Sequence, residues 1–300
     1  VVTGGAGFLG SHVVERLSAS GHFVFVPRSA EYDLRTWVGV ARCMAAGHPD
    51  VVIHLAAAVG GIGVNEAHPG MLLHDNAIMG LHLMEWCRKA GVSKFVTIGT
   101  ACEYPEDAPL PLREDDLWNG YPTPVTAPYG IAKRLLLAQG QAYRDEYGFN
   151  AIHLIPTNLY GPRDNFDRQT SHVIPALVRR FSEAVKEGRD LVRCWGTGKA
   201  TREFLYVEDA ATAIVTATER YDSPELMNLG TGQETSVASV AQQIADIYGY
   251  KGRIGWDDSR PDGVSRRRLD IGRAWSEMAF RASTHLEDGL KATVEWFEAQ

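Results

Sequence analysis

The sequence predicts an α/β fold built on a doubly wound, Rossmann-type parallel sheet, with a smaller α/β region toward the C-terminus. Three observations predict it. Short apolar runs alternate with helix-like segments through the first half of the chain. The first run leads directly into a glycine turn and then a helix. Several later runs end in small or hydroxylated residues, as strand ends facing a ligand do.

The first strand is Val1-Val2-Thr3, and Gly4-Gly5-Ala6-Gly7-Phe8-Leu9-Gly10 follows it. Glycines at 4, 7 and 10 allow a tight turn, close approach of backbone to a pyrophosphate, and packing of helix on strand. A helix-like segment with Val13, Val14 and Leu17 follows; its N-terminus would present free N–H groups to that pyrophosphate, and Phe8 and Leu9 of the turn are candidate cofactor-binding residues. The spacing is Gly-x-x-Gly-x-x-Gly, so its place between strand and helix carries the dinucleotide reading. A second strand is expected at Phe23–Val26, followed by Arg28. An acidic residue there would bind the ribose 2′-hydroxyl of NAD; an arginine suits a 2′-phosphate, which favours NADP and leaves NAD as the alternative. A solvated surface arginine is the plainer reading of Arg28.

Asp50–Ala58 reads as a buried strand ending in small residues, where Ala56 and Ala57 leave room for a flat cofactor. Lys94–Thr100 is another short strand, and it places Thr100, Ala101 and Cys102 where ligands gather in such sheets. Ala108–Pro128 is rich in proline and reads as a long loop. Beyond it Tyr129 and Lys133 stand four residues apart in a helical pattern, so phenol and ammonium share one face. A nearby ammonium lowers a tyrosine pKa from its usual ~10, suiting the phenol to donate a proton to a carbonyl receiving hydride. On its own the pair would equally be a solvated helix face.

A further strand, Ala151–Pro156, leads to Asn158 and Leu159, and after Pro162 the alternation weakens. Strands are expected at 191–195 and 203–207, and helices at 173–186, 237–248 and 286–297. This places a nucleotide-binding domain in residues 1–162, with later segments crossing back to it, and a mainly substrate-binding domain in 163–300.

Composition narrows the partners. A formal charge of −7 argues against nucleic acid as the main partner. No apolar run is long enough to span a bilayer, so no membrane role is expected. The four cysteines show no paired spacing for a metal, and a reducing cytoplasm suits them. His54, His74 and His82 form no ligand pattern and are read as structural. The chain opens inside its first strand without a methionine or signal peptide, so a few preceding residues are expected.

Taken together, Gly99–Pro105, Ala127–Lys133, Pro156–Pro162, Asp164-Asn165-Phe166, Ser171–Leu177, Arg202–Leu205 and Pro261-Asp262-Gly263 resemble the GDP-L-fucose synthase branch of the extended short-chain dehydrogenase/reductase family. The likeness runs in the same order over nearly the whole chain. It implies 3,5-epimerisation and 4-keto reduction of a GDP-4-keto-6-deoxy sugar with NADPH, in a homodimer. By this resemblance Cys102 is the base and His172 the acid of epimerisation, Tyr129 donates to the C4 oxygen, Lys133 holds the tyrosine and the nicotinamide ribose, and Thr100 binds the ketone oxygen. Inversion needs acid and base on opposite faces, which suits a thiol and an imidazole. It also implies that Arg180, Trp195, Arg202 and Arg267 hold the GDP moiety, that Asn158 serves both substrate and cofactor, and that Pro156, Leu159 and His172 line the nicotinamide end. Arginine forks suit phosphates, although Arg267 belongs to a basic run that could be a solvated patch.

The chain departs from the family where serines are replaced by Thr100 and Ala101, and where Ala6 and Phe8 stand in place of a basic residue in the glycine turn. The altered pocket leaves room for a related sugar such as a deoxyheptose. Three rivals are weighed: an epimerase or dehydratase with bound NAD and no net reduction, a plain 4-reductase of another sugar, and a non-catalytic cofactor-binding regulator. The Cys102, Tyr129, Lys133 and His172 set speaks against the last.

Overall fold

The computed structural model describes residues 1–168, 170–259 and 263–300. Pro261 and Asp262, part of the resemblance above, lie outside the described residues. The order of elements begins β1 Val2–Thr3, α1 Phe8–Ala19, α2 Trp37–Gly47, β2 Val51–His54, α3 Ile62–Ala67, α4 Pro69–Ala90 and β3 Lys94–Ile98. It continues α5 Ala127–Tyr147, β4 Ala151–Pro156, β5 Asn158–Tyr160, α6 Val173–Lys186, β6 Leu191–Trp195, β7 Thr201–Tyr206 and α7 Val207–Arg220. The last elements are β8 Met227–Leu229, β9 Glu234–Ser236, α8 Val237–Ile247, β10 Arg253–Asp257, α9 Gly272–Met278 and α10 Leu286–Glu298.

The central sheet has the order β1-β2-β3-β4-β8, with every neighbouring pair parallel. Every residue of β3 and β4 is buried. Strands covered on both faces read as continuous apolar runs, which is why they were legible in sequence. On one face α1 and α7 supply Val13, Leu17, Ala213 and Ile214 to a core that includes Val96, Leu154 and Met227. On the other, α2, α4 and α5 bring Val40, Met44, Leu83, Met84 and Leu136 against Val52 and Phe95. A separate cluster joins α6, α8 and α10 through Ile174, Val178, Phe181, Val240, Ile244 and Leu290. It packs with two small sheets, the parallel pair β10-β6 and the set β5-β7-β9.

Two expectations change. Phe23–Val26 is extended but is not a sheet strand. Val2 N–H donates to Phe25 O at 3.0 Å, so the segment lies beside β1, and Phe23 is 90% exposed. The Ala108–Pro128 loop ends earlier than expected: α5 starts at Ala127, with Pro128 inside its first turn, where no N–H is needed. The loop itself is packed, with Leu112 and Leu117 buried and Glu114 accepting from Asn228 N–H at 3.1 Å.

The chain passes from β1 to the 23–26 segment on one side and then to β2 on the other. That reversal creates a crevice at the carboxyl ends of β1 and β2.

Candidate active site

Gly4 ends β1 at φ +71°, and a Cβ there would lie 2.6 Å from Ala56 N at the end of β2. No L side chain fits that contact, so glycine is required where the two strand ends meet. Beyond it, α1 begins at the N-cap Gly7, with no side-chain cap and no acidic residue in its first turn. The N–H groups around Phe8, Leu9 and Gly10 therefore stand ready for an anion. Ala56 and Ala57 are half-buried, and Arg28 is exposed at the turn after the 23–26 segment. This crevice fits a dinucleotide, with Pro156 at the end of β4 and Asn158 and Leu159 opening β5.

The second part of the site is a single 3₁₀ turn, Ala101–Glu103, laid against α5. Thr100 caps it: its Oγ1 accepts from Cys102 N–H at 3.2 Å. Because that oxygen already accepts, its own proton is free to donate elsewhere. Glu103 closes the other half of a capping box, taking Thr100 N–H at 2.7 Å. Cys102 is half-buried, whereas Cys43, Cys87 and Cys194 are buried. Burial pushes the Cys43 thiol up to about 11 and the Cys87 thiol to about 12, so neither is fit for chemistry near neutrality. Arg267 reaches Cys102 directly, its Nη1 3.5 Å from Sγ. The structure thus places Arg267 against the Ala101–Glu103 turn.

Tyr129 and Lys133 lie in the first two turns of α5, with Lys133 Nζ 5.9 Å from the centre of the tyrosine ring. Lys133 is 2% exposed, and burial lowers its ammonium pKa to about 8 against the opposing pull of Glu103. The Tyr129 phenol moves opposite to the sequence expectation. Burial raises its pKa, and Cys102 and Glu103 push the same way. Desolvation outweighs the lysine here, so the phenol is held protonated, the form that donates.

His172 is the N-cap of α6, yet its side chain makes no capping hydrogen bond. It retains an exposed surface while surrounding protein atoms desolvate it, the condition of a ring in a cleft wall, and its pKa is lowered. No hydrogen bond links it to Cys102 among the described residues. Arg180, two turns further along α6, lies 5.2 Å from the Trp195 ring and donates to Arg193 O at 2.9 Å. Trp195 is 61% exposed at the surface beside Arg180. Arg202 donates to Thr201 O at 2.8 Å and approaches Gly263, where a Cβ would lie 3.5 Å from its guanidinium. The predicted residues therefore form three groups: the β1–β2 crevice, the Thr100–Cys102–Tyr129–Lys133–Arg267 cluster, and the Arg180–Trp195 pair.

Three supporting residues were missed in the sequence. Glu103 and His153 lie beneath the reactive turn, with His153 Nε2 3.1 Å from Glu103 Oε2. Thr-x-x-Glu was a readable capping signal for Glu103; nothing local marked His153. Glu203, fully buried in β7, accepts from Thr231, Gly232 and Leu269 N–H at 2.6, 2.7 and 2.7 Å. Its own backbone oxygen takes Asn158 Nδ2 at 2.9 Å. Glu203 therefore ties Asn158 to the segment that carries Arg267. A charged residue inside an apolar strand was the available signal. Of the histidines read as structural, His54 pairs with Thr3 Oγ1 at 2.8 Å, and burial with nearby Lys133 holds it neutral, its pKa near about 3.

A parallel sheet with its crevice at a strand reversal, beside a Tyr-x-x-x-Lys helix, defines a nicotinamide-dependent enzyme of the extended short-chain type. Residues 1–230 match the NAD dependent epimerase/dehydratase family, and the chain belongs to it. Within that family it is 38% identical to GDP-L-fucose synthase 1 of Arabidopsis thaliana over 297 residues, 99% of this chain and 92% of the relative. Among solved structures it is similar to a GDP-6-OMe-4-keto-L-xylo-heptose reductase from C. jejuni, with TM-score 0.93 and 27% identity, over 100% of this chain and 97% of that one. It is also similar to a GDP-L-fucose synthetase from Naegleria fowleri bound to NADP, with TM-score 0.90 and 29% identity, over 99% and 93% of the two chains.

Proposed function

We propose that the protein converts a GDP-4-keto-6-deoxy sugar, foremost GDP-4-keto-6-deoxy-D-mannose, to its 3,5-epimerised and 4-reduced product, GDP-L-fucose, using NADPH. One observation carries this beyond simple reduction. Of the four cysteines, only Cys102 escapes burial, and it sits in the same turn as Thr100, packed on the helix of Tyr129 and Lys133. A reductase needs the hydroxyl, the phenol and the ammonium; a thiol among them is what epimerisation adds.

In this reading Cys102 removes the protons that the adjacent ketone makes acidic at C3 and C5, and His172 returns a proton to the opposite face. Thr100 donates its free proton to the C4 oxygen and stabilises the enolate. A bound NADPH supplies the hydride for C4. Tyr129, held protonated by desolvation, donates to the developing alkoxide. Lys133 binds the nicotinamide ribose and holds the phenol in place. Arg28 takes the 2′-phosphate, Arg180 and Arg202 take the diphosphate, and Trp195 takes the base. Arg267, from its position on Cys102, orients the thiol and meets the sugar.

Residues 1–162 would form the nucleotide-binding domain and 163–300 mainly the substrate domain. A homodimer through α4 and α5 suits the exposed apolar residues Met71, Leu73 and Leu135 on those helices. A reducing cytoplasm suits the four free thiols.

The test is incubation with GDP-4-keto-6-deoxy-D-mannose and NADPH or NADH in heavy water, read by absorbance and product NMR. The proposal expects oxidation of NADPH with deuterium at both C3 and C5, and Cys102→Ser should abolish that deuteration. Reduction without deuterium would make the enzyme a plain 4-reductase, a second reading favoured by the likeness to the C. jejuni heptose reductase. Deuteration without consumption of NADPH would instead indicate an epimerase with bound NAD.

A further inference from the structure

The carboxylate of Glu103 is 0% exposed, and among the described residues no lysine or arginine pairs with it. Its partners are Thr100 N–H at 2.7 Å and His153 Nε2, at 3.2 Å from Oε1 and 3.1 Å from Oε2. His153, 2% exposed on β4, places its other nitrogen, Nδ1, 2.7 Å from Thr97 Oγ1. The Thr97 hydroxyl donates to Ile152 O at 3.0 Å. Thr97, His153 and Glu103 thus form one continuous hydrogen-bonded chain that ends on Thr100 N–H.

The pair supports the reactive turn from below. From the side, a Cβ at Gly130 would lie 2.4 Å from Cys102 O, so the turn rests directly on α5 beside Tyr129. Arg134 Nε, one helical turn on, donates to Glu103 O at 2.6 Å. Glu103 and His153 are themselves buried, and the contacts from Gly130, Arg134 and the Glu103 carboxylate all fall on the backbone of Thr100–Glu103.

We propose that Glu103 and His153 form a buried, hydrogen-bonded dyad that positions Thr100 and Cys102 for the reaction by fixing the backbone between them. This rests on the function proposed above and extends it to two residues that never meet substrate. The dyad acts through reach rather than charge: its work is to hold Thr100 N–H, and through it the angle at which the hydroxyl and thiol enter the site.

Two variants separate reach from charge. Glu103→Asp keeps the charge but is one methylene too short for Thr100 N–H. Glu103→Gln keeps the reach: its oxygen accepts from Thr100, and its amide donates to His153 Nε2. Glu103→Asp should lower kcat roughly 10- to 100-fold, the effect of an ångström-scale displacement. KM should stay within about twofold, because ground-state contacts persist. Glu103→Gln should recover most of that loss. A readout without turnover is alkylation of Cys102 by iodoacetamide, the other three thiols being buried. Its rate should change by at least about threefold in Glu103→Asp and return in Glu103→Gln. Should Glu103→Asp not fold, Thr97→Val reaches the dyad from its far end and should give the same pattern more weakly. The reverse order, with Gln impaired and Asp native, overturns the proposal, as does an unchanged kcat or a loss confined to KM. If native enzyme fails to turn over the ketose, the functional reading falls, while an alkylation rate that ignores all three substitutions sinks the dyad separately.

Discussion

Replacing Lys133 by methionine should make the protein more stable while removing its activity. Lys133 is buried on α5, and its ammonium makes no hydrogen bond among the described residues. Burial lowers its pKa from 10.5 to about 8. That drop corresponds to roughly 3 kcal/mol of unfavourable burial of charge. The pH dependence has a definite sign. Below about pH 8 the lysine is charged in both states, and the folded state bears the whole penalty. Between about 8 and 10.5 the folded state loses its proton while the unfolded chain keeps one, so native stability rises with pH. Above that range both states are neutral and the penalty is gone. Methionine has a similar length and no charge. Lys133→Met should therefore be more stable than the native chain at pH 7 by up to about 3 kcal/mol, and the gap should close by about pH 10.5. Urea unfolding of both proteins across this range measures it, and titrations common to both cancel in the difference. A variant less stable at pH 7, or a gap that does not vary with pH, would show that the ammonium is solvated or paired in the folded protein. Retention of such a residue is expected where function outweighs stability.

Other outcomes follow from single residues. Asp164 has a buried Oδ2 without a partner, and burial raises its pKa to about 7 despite the N–H of Asn165. Its contribution therefore falls as pH rises from about 4 to 7, and Asp164→Asn should gain about 2–4 kcal/mol at pH 8 and nothing at pH 4 by the same unfolding assay. Arg28→Ala should raise the KM for NADPH several-fold more than that for NADH; equal effects would remove the 2′-phosphate from its role. Tyr129→Phe should cost at least about 100-fold in kcat for reduction with little change in KM, measured by oxidation of NADPH, and a smaller loss would assign the proton to another donor.

Much of the architecture was readable because its causes are local. The buried strands β2, β3 and β4 are short, apolar and bounded by turns, and α6 matches its expected span from Val173 to Lys186. The elements that were not foreseen are those whose identity depends on distant partners. Strand β8 is three residues long, Met227–Leu229, and is a strand only because β4 lies beside it. The 23–26 segment has strand-like residues and lies beside β1, with Phe25 O accepting from Val2 N–H, without being a sheet strand.

The same division runs through the site. Sequence alone determined which chemical groups are present and which share a local frame: the glycine turn before α1, Thr100 and Cys102 in one turn, and Tyr129 and Lys133 on one helix face. Those relations span few residues and follow from backbone geometry. Tertiary structure decided the rest. It brought Arg267 to Cys102 across 165 positions of chain and His153 to Glu103 across 50. It also reversed the expected direction for Tyr129. Proximity to an ammonium is a matter of helical spacing, but desolvation depends on everything packed around the phenol, and here burial is the larger effect.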